Sequence, residues 1–282
     1  MAFRIGVIFL WLCFTAWLIR YEAFPEHFTH SISGYKGLIA REVLVADSWM
    51  KISFRGEDIG YSHTGIDINE TNSLEHYIME NRVHIAINIM GKRNNIHAIS
   101  SIMLDDGQKL ARFTFALSSP AASVKVEGIR KQGSNYEVSV RTEPDALQTT
   151  TLSIPSDVIL YSPLTETAMK NLKPGQDITM RIFDPISMRK TNLMIHALRH
   201  QTITMFGTPV EATVLSSQYQ GIEMTTWIDS SGNVLRQESE IGWTMQKCTP
   251  EEAYDAALGN RSSSDVLKII LPLLFLTEKK ND

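Results

Sequence analysis

Between about Ser48 and Cys248 apolar side chains recur at every second position, interrupted at short intervals by turn-forming residues. Val83, Ile85, Ile87 and Ile89 alternate with Arg82, His84 and Asn88, and Tyr136, Val138 and Val140 alternate with Glu137, Ser139 and Arg141. Ile178, Met180 and Ile182 alternate with Thr179 and Arg181. A helix would spread each set around its circumference, whereas a strand sends one set to a buried face and the other to water. Farther along, Leu235, Ile241, Trp243 and Met245 read as one face of a long last strand, with Arg236, Glu238 and Glu240 on the other. Val, Ile, Thr and aromatic residues fill these runs, as a pleated surface favours.

The turns agree with the period. Asp105-Asp106-Gly107, Gln132-Gly133-Ser134-Asn135 and Asp229-Ser230-Ser231-Gly232-Asn233 each separate two alternating runs, which is a hairpin signal. The expected fold is mainly β, an antiparallel meander of on the order of a dozen strands forming an open or half barrel or a sandwich. Helices are few and short. Pro163 to Lys173 reads as one, stopped by Pro174-Gly175. A second opens with Thr249 as cap, Pro250 in the first turn and the acids Glu251 and Glu252, runs to about Leu258 and stops at Gly259.

The ends have a different character. Ile5 to Ile19 is an uninterrupted apolar run between Arg4 and Arg20, with Trp11, Trp17 and Tyr21 suited to a membrane interface. It lies at the lower limit of the roughly 20 residues a helical span requires. A cleaved secretory signal is the competing reading, but the following RYEAFPEHF offers no A-x-A-like site. The expected division is a signal anchor or transmembrane helix over 1–21, a linker over 22–46, the β domain over 47–259, and a linker with an apolar segment over 260–282. In that last part Val266, Ile269, Ile270, Leu271, Leu273, Leu274 and Phe275, kinked by Pro272, are the expected contacts with a partner or a membrane.

Composition excludes several classes. A net charge of −4 and a pI near 6.1 provide no field to recruit nucleic acid. Two cysteines cannot make a disulfide scaffold or a cysteine-rich zinc module. No phosphate loop, dinucleotide fingerprint or nucleophile elbow occurs, and no cofactor or metal is expected. Cys248 precedes a helix N-terminus, but a nucleophile also needs a base set against it. His196 and His200 are spaced to share a face, yet lack a third ligand, and the remaining histidines are scattered over different strands. Arg181, Arg189, Lys190 and Arg199 bracket the loop Asp184 to Met188 and form a possible cluster for an anionic ligand, against the plainer reading of a solvated face. Twelve methionines suit either core filling or an adaptable apolar cleft.

Two stretches resemble the N-terminal β domain of bacterial envelope proteins that carry a transglutaminase-like domain. The first is Asp47 to Thr64, an aromatic strand, a turn and the start of its partner at Ile59-Gly60-Tyr61. The second spans Gly207 to Ala253, with Gly221-Ile222-Glu223, Trp227-Ile228-Asp229, Gly232-Asn233-Val234-Leu235, Met245 and Thr249-Pro250-Glu251-Glu252-Ala253. The resemblance implies an open, half-closed barrel, similar in outline to the periplasmic lipoprotein carriers. In two-domain relatives a cysteine–histidine–aspartate domain follows; here about thirty residues follow the matching helix, so no catalytic residue is carried over. The expectation is a non-enzymatic accessory protein on the bacterial inner membrane, its β domain facing the periplasm and binding a membrane or envelope protein. The alternatives are a tethered carrier or sensor of a hydrophobic, lipid-like ligand in the concave face, and an enzyme with an unfamiliar site.

Overall fold

In the computed structural model the described residues are 10–11, 14–15, 30–32, 34–35, 46–89, 92–142, 146–160 and 172–258. Chain order places β1 (His30–Ile32) before a long meander of β2 (Ala46–Phe54), β3 (Glu57–Ile68), β4 (Tyr77–Ile89), β5 (Lys92–Leu104), β6 (Leu110–Ser118), β7 (Ser123–Gln132), β8 (Asn135–Thr142) and β9 (Ala146–Ser153). The short β10 (Val158–Leu160) precedes a second meander, β11 (Asp177–Asp184), β12 (Arg189–Met205), β13 (Thr208–Tyr219), β14 (Ile222–Ile228), β15 (Val234–Ser239) and β16 (Trp243–Lys247). One helix, α1 (Pro250–Leu258), follows.

The two meanders are one sheet. β16 pairs antiparallel with β2, from Trp243 opposite Phe54 to Lys247 opposite Met50, and so joins the late strands to the early ones. Among the described residues the sheet has sixteen strands in a single continuous arrangement, not the two layers of a sandwich. Its two ends also approach each other. β10, four residues after β9, pairs in parallel with Arg181 to Phe183 of β11, and β1 occupies the neighbouring stretch of that edge, Ile178 to Met180. Lys190 Nζ donates to the Ser153 carbonyl at 2.6 Å, tying the start of β12 to the end of β9. The sheet therefore curls around a concave face.

The alternation sets what that face holds. Ile178, Met180 and Ile182 on β11 pair with Ile195, Leu193 and Thr191 on β12. The five apolar side chains among these meet Met79, Ile102, Phe113, Tyr136 and Val138 from the first meander in one large core. Each fully buried Leu, Ile or Phe there contributes roughly 1.5–3 kcal/mol. Phe113 lies 6.2 Å from Phe183 and 6.4 Å from Tyr136, ring centre to ring centre. It fits because β7 has Gly128 directly opposite: a Cβ there would stand 2.1 Å from the Phe113 ring. Tyr35 plugs the same core, its hydroxyl oxygen accepting from the Leu160 N–H at 3.0 Å.

The expected last long strand is two strands. Gly242, at a φ of +96°, turns the chain and donates its N–H to the Ser239 carbonyl at 3.0 Å. Trp243 and Met245 then pack against Ile52 and Phe54, while Leu235 joins Met205, Ala212, Val214 and Trp227 in a separate outer cluster. Helix α1 follows the expected capping: Glu252 N–H donates to Thr249 Oγ1 at 3.2 Å and Thr249 N–H to Glu252 Oε2 at 2.9 Å. It buries Ala253, Ala256 and Ala257, packing on β2 and β3, and Arg93 of β5 caps its Ala257 carbonyl. Among the described residues no helix is long and apolar enough to cross a membrane. Most of the run 5–19, all but the end of the expected helix 163–173, and the whole apolar segment 266–276 lie outside those residues.

Candidate ligand-binding site

Beyond the large core the concave face is not filled. A cavity of about 440 Å³ opens between the large core and the smaller cluster of Ile52, Phe54, Ile59, Ile85, Ile87, Ile96 and Leu117. One wall is the inward row of β4 to β6, including Val83, Ile85, Ile96 and Leu117. The facing wall comes from the second meander, with Ile222 and Met224 of β14, Ile241 of the turn, and Trp243 and Met245 of β16. The space exists because small side chains occupy matched positions. Ala98 pairs with both Val83 and Leu117, and Ser100 pairs with both Asn81 and Phe115.

The loop after β11 roofs the cavity with Pro185 and Ile186. Asp184, buried, holds this loop from within. Its Oδ1 accepts the Ile186 N–H at 2.8 Å, and its Oδ2 accepts from Ser187 Oγ at 2.7 Å. The same Oδ2 accepts from Tyr219 Oη and Gln220 Nε2, both at 3.1 Å, so the roof is tied to the β13–β14 hairpin. Burial and the adjacent Asp184 carboxylate push the Tyr219 phenol well above its ordinary pKa, which keeps it protonated as a donor.

Among the described residues of the cavity wall, Asn81 is the one buried polar side chain besides Asp184. Its Nδ2 donates to Ser62 Oγ and to Thr64 Oγ1, each at 2.8 Å, locking β4 to β3. Gln237 and Ser239 add polarity on the β15 side.

The residues singled out in the sequence sit elsewhere. Arg181 pairs with Asp157, Lys190 holds the Ser153 carbonyl, Arg199 donates to Gln201 at 3.2 Å and Arg189 is exposed; none lines the cavity. His196 and His200 do not share a face. A bulge between Ala197 and Arg199 shifts the register, so His196 pairs with Ser216 and His200 with Thr213, which point to opposite sides of β13. His196 instead meets Asp177 at 2.8 Å. Cys248 is buried, and burial first, then Glu252, raises its thiol to about 11, the wrong direction for a nucleophile. Among the described residues no three His, Cys, Asp or Glu side chains are grouped to hold a metal.

Three of the remaining histidines do lie on different strands, His63 on β3, His84 on β4 and His97 on β5, and pairing brings them together on the outer face. His63 stacks on Trp49 at 4.0 Å and reaches Asp47 at 2.5 Å. Tyr61 stacks on His84 at 5.6 Å, and His84 and His97 face each other with their Nδ1 atoms 3.0 Å apart. Tyr254 of α1 covers this row, 5.5 Å from Trp49 and 5.4 Å from Tyr61. The row is a docking bed for the helix on the side of the sheet away from the cavity.

No family model matches the chain, and no curated protein does. Among solved structures it is similar to a β-barrel-like protein of the domain of unknown function DUF1849 from Brucella abortus, with 11% identity and a TM-score of 0.47 over 73% of this chain and 95% of that one. It is also similar to a DUF1089 family protein from Pseudomonas aeruginosa, with 12% identity and a TM-score of 0.29 over 70% of this chain and 93% of that one. Neither name states a ligand or an activity.

Proposed function

We propose that this chain is a non-catalytic binding protein for a hydrophobic, lipid-like ligand, held in the concave face of a half-open barrel. The observation that carries this reading is the apolar cavity of about 440 Å³ beneath a roof held by Asp184. Small-molecule sites typically have about 300–1,000 Å³, mostly apolar walls and a few placed polar groups. Of the anchor, only Leu10, Trp11, Phe14 and Thr15 are described. They are helical, and Leu10, Trp11 and Phe14 are exposed, which favours a membrane tether at the N-terminus. A tethered carrier or sensor on the extracytoplasmic side of a bacterial membrane follows from that tether and from the envelope resemblance.

Native mass spectrometry of the full chain purified from cells tests this. The expected spectrum shows a lipid-sized adduct that disappears from the Ala98→Leu variant, whose longer side chain occupies the cavity. A chain that is empty on purification and stays empty after incubation with a membrane lipid extract contradicts the reading.

A further inference from the structure

Among the described residues that line the cavity there is no Lys, Arg or His. The ionisable ones among the described residues at the cavity are Asp184, in the roof, and Glu238, which alternates with the inward Gln237 and Ser239 and so stands with Arg236 on the outer row of β15. Asp184 is committed to the roof, and Glu238 pairs with Arg236. The basic residues Arg181, Arg189, Lys190 and Arg199 all lie outside the lining. A carboxylate or phosphate drawn into this space would lose its water and gain no counter-charge, with the Asp184 carboxylate in the roof above it.

The polar point on the wall has a definite sense. Asn81 is 5% exposed, and its Nδ2 directs its hydrogens to Ser62 Oγ and Thr64 Oγ1, with the His63 carbonyl at 3.4 Å. That use of the amide nitrogen leaves the carbonyl oxygen Oδ1 as the group the side chain can offer, and an amide oxygen only accepts. Ser100, its direct partner across β4 and β5, adds a hydroxyl at the same end of the cavity. From there the apolar wall runs through Val83, Ala98, Ile85, Ile96 and Leu117 toward Trp243.

Resting on the reading of this cavity as a ligand site, we infer that it selects a neutral amphiphile. The ligand brings a hydroxyl or amide N–H to Asn81 and Ser100, lays its hydrocarbon along the Ile85–Trp243 side, and is preferred over a fatty acid or other anion of the same length.

Calorimetric titration of the full chain with dodecanol and with dodecanoate, at about pH 8 where the acid is ionised, tests the inference. The native chain is expected to bind dodecanol at least about tenfold more tightly, since each 1.4 kcal/mol is a factor of ten. Ser100→Ala, which leaves the Asn81 hydrogen bonds to β3 intact, weakens dodecanol several-fold. Asn81→Leu weakens it further if the variant folds. Ser100→Lys supplies the missing cation and reverses the preference toward dodecanoate. Equal or tighter binding of dodecanoate by the native chain overturns the inference while leaving the cavity a ligand site, as does binding of apolar phenylnaphthylamine with neither amphiphile. Failure of all three probes overturns the cavity reading itself.

Discussion

Along β4, β5 and β6 the inward side chains change size from one rung to the next. Met79, Ile102 and Phe113 stand in register at one end and are fully packed. Two residues along, the row is Asn81, Ser100 and Phe115; two further, it is Val83, Ala98 and Leu117. At the first row the far side of the curled sheet supplies Phe183, and Tyr35, Ile159 and Leu160 close the gap. At the later rows the far side supplies Gln237, Ser239 and Met245, and space remains. The same strands, pairing and curvature thus give a close-packed core at one end and a cavity at the other. The difference lies in side-chain volume at a few inward positions, so the open end is a built feature of this sheet and not a failure of the fold to close.

The largest effect is expected where packing is complete. Phe113→Ala should lower unfolding stability by about 3–5 kcal/mol in a denaturant titration. A mild result there would mean that the filled end is looser than described. Enlargement sharpens the contrast, because the two ends should respond oppositely. Gly128→Ala forces a Cβ against the Phe113 ring and should cost about 1–3 kcal/mol. Ala98→Leu adds more volume yet enters empty space, and should leave stability within about 1 kcal/mol while removing ligand binding. Tyr35→Phe leaves the buried Leu160 N–H without its acceptor and should cost about 1–3 kcal/mol, with no change in ligand affinity.

Acid should separate the ends in a smaller way. Behind the open end, burial, His97 and Arg93 hold the His84 pKa below the ordinary histidine value. A histidine depressed in the folded state stabilises when neutral, so its contribution is complete above the unfolded value of about 6.5 and fades as pH falls through the folded one. At the filled end burial pushes Asp105 upward, but the Lys109 N–H, the Arg130 guanidinium and the Gly107 N–H outweigh it and the net shift is down. That contribution is present above the unfolded value of about 3.9 and is lost only below it. As pH falls to about 5, amide protection factors, corrected for the intrinsic exchange rate, should therefore drop in β4 and β5 beside His84 before they drop around Asp105, and His84→Asn should abolish the early change. Simultaneous loosening of both regions would remove the distinction.

Much of this architecture could be read before any coordinates. The alternation at Val83 to Ile87 and Ile178 to Ile182, the hairpin turns at Asp105 and Asp229, and the Thr249 cap depend on nearest neighbours in the chain, which the sequence displays. What escaped depends on distant pairing. Nothing local announces that β16 pairs with β2, or that β10 completes the edge of β11. One inserted residue at the β12 bulge was enough to part His196 from His200, and one glycine at 242 divided the last strand. The cavity left a faint trace: Ala98 and Ser100 interrupt the large inward residues between Ile96 and Ile102. Small residues at inward positions carry meaning only when what stands opposite is known.

Titration of phenylnaphthylamine, an uncharged apolar fluorophore, into the native chain and the Ala98→Leu variant addresses the open end most directly. Saturable one-site binding to the native chain, lost in the variant while its melting temperature is retained, is the predicted result. Non-saturable uptake, or equal binding by both proteins, would contradict it.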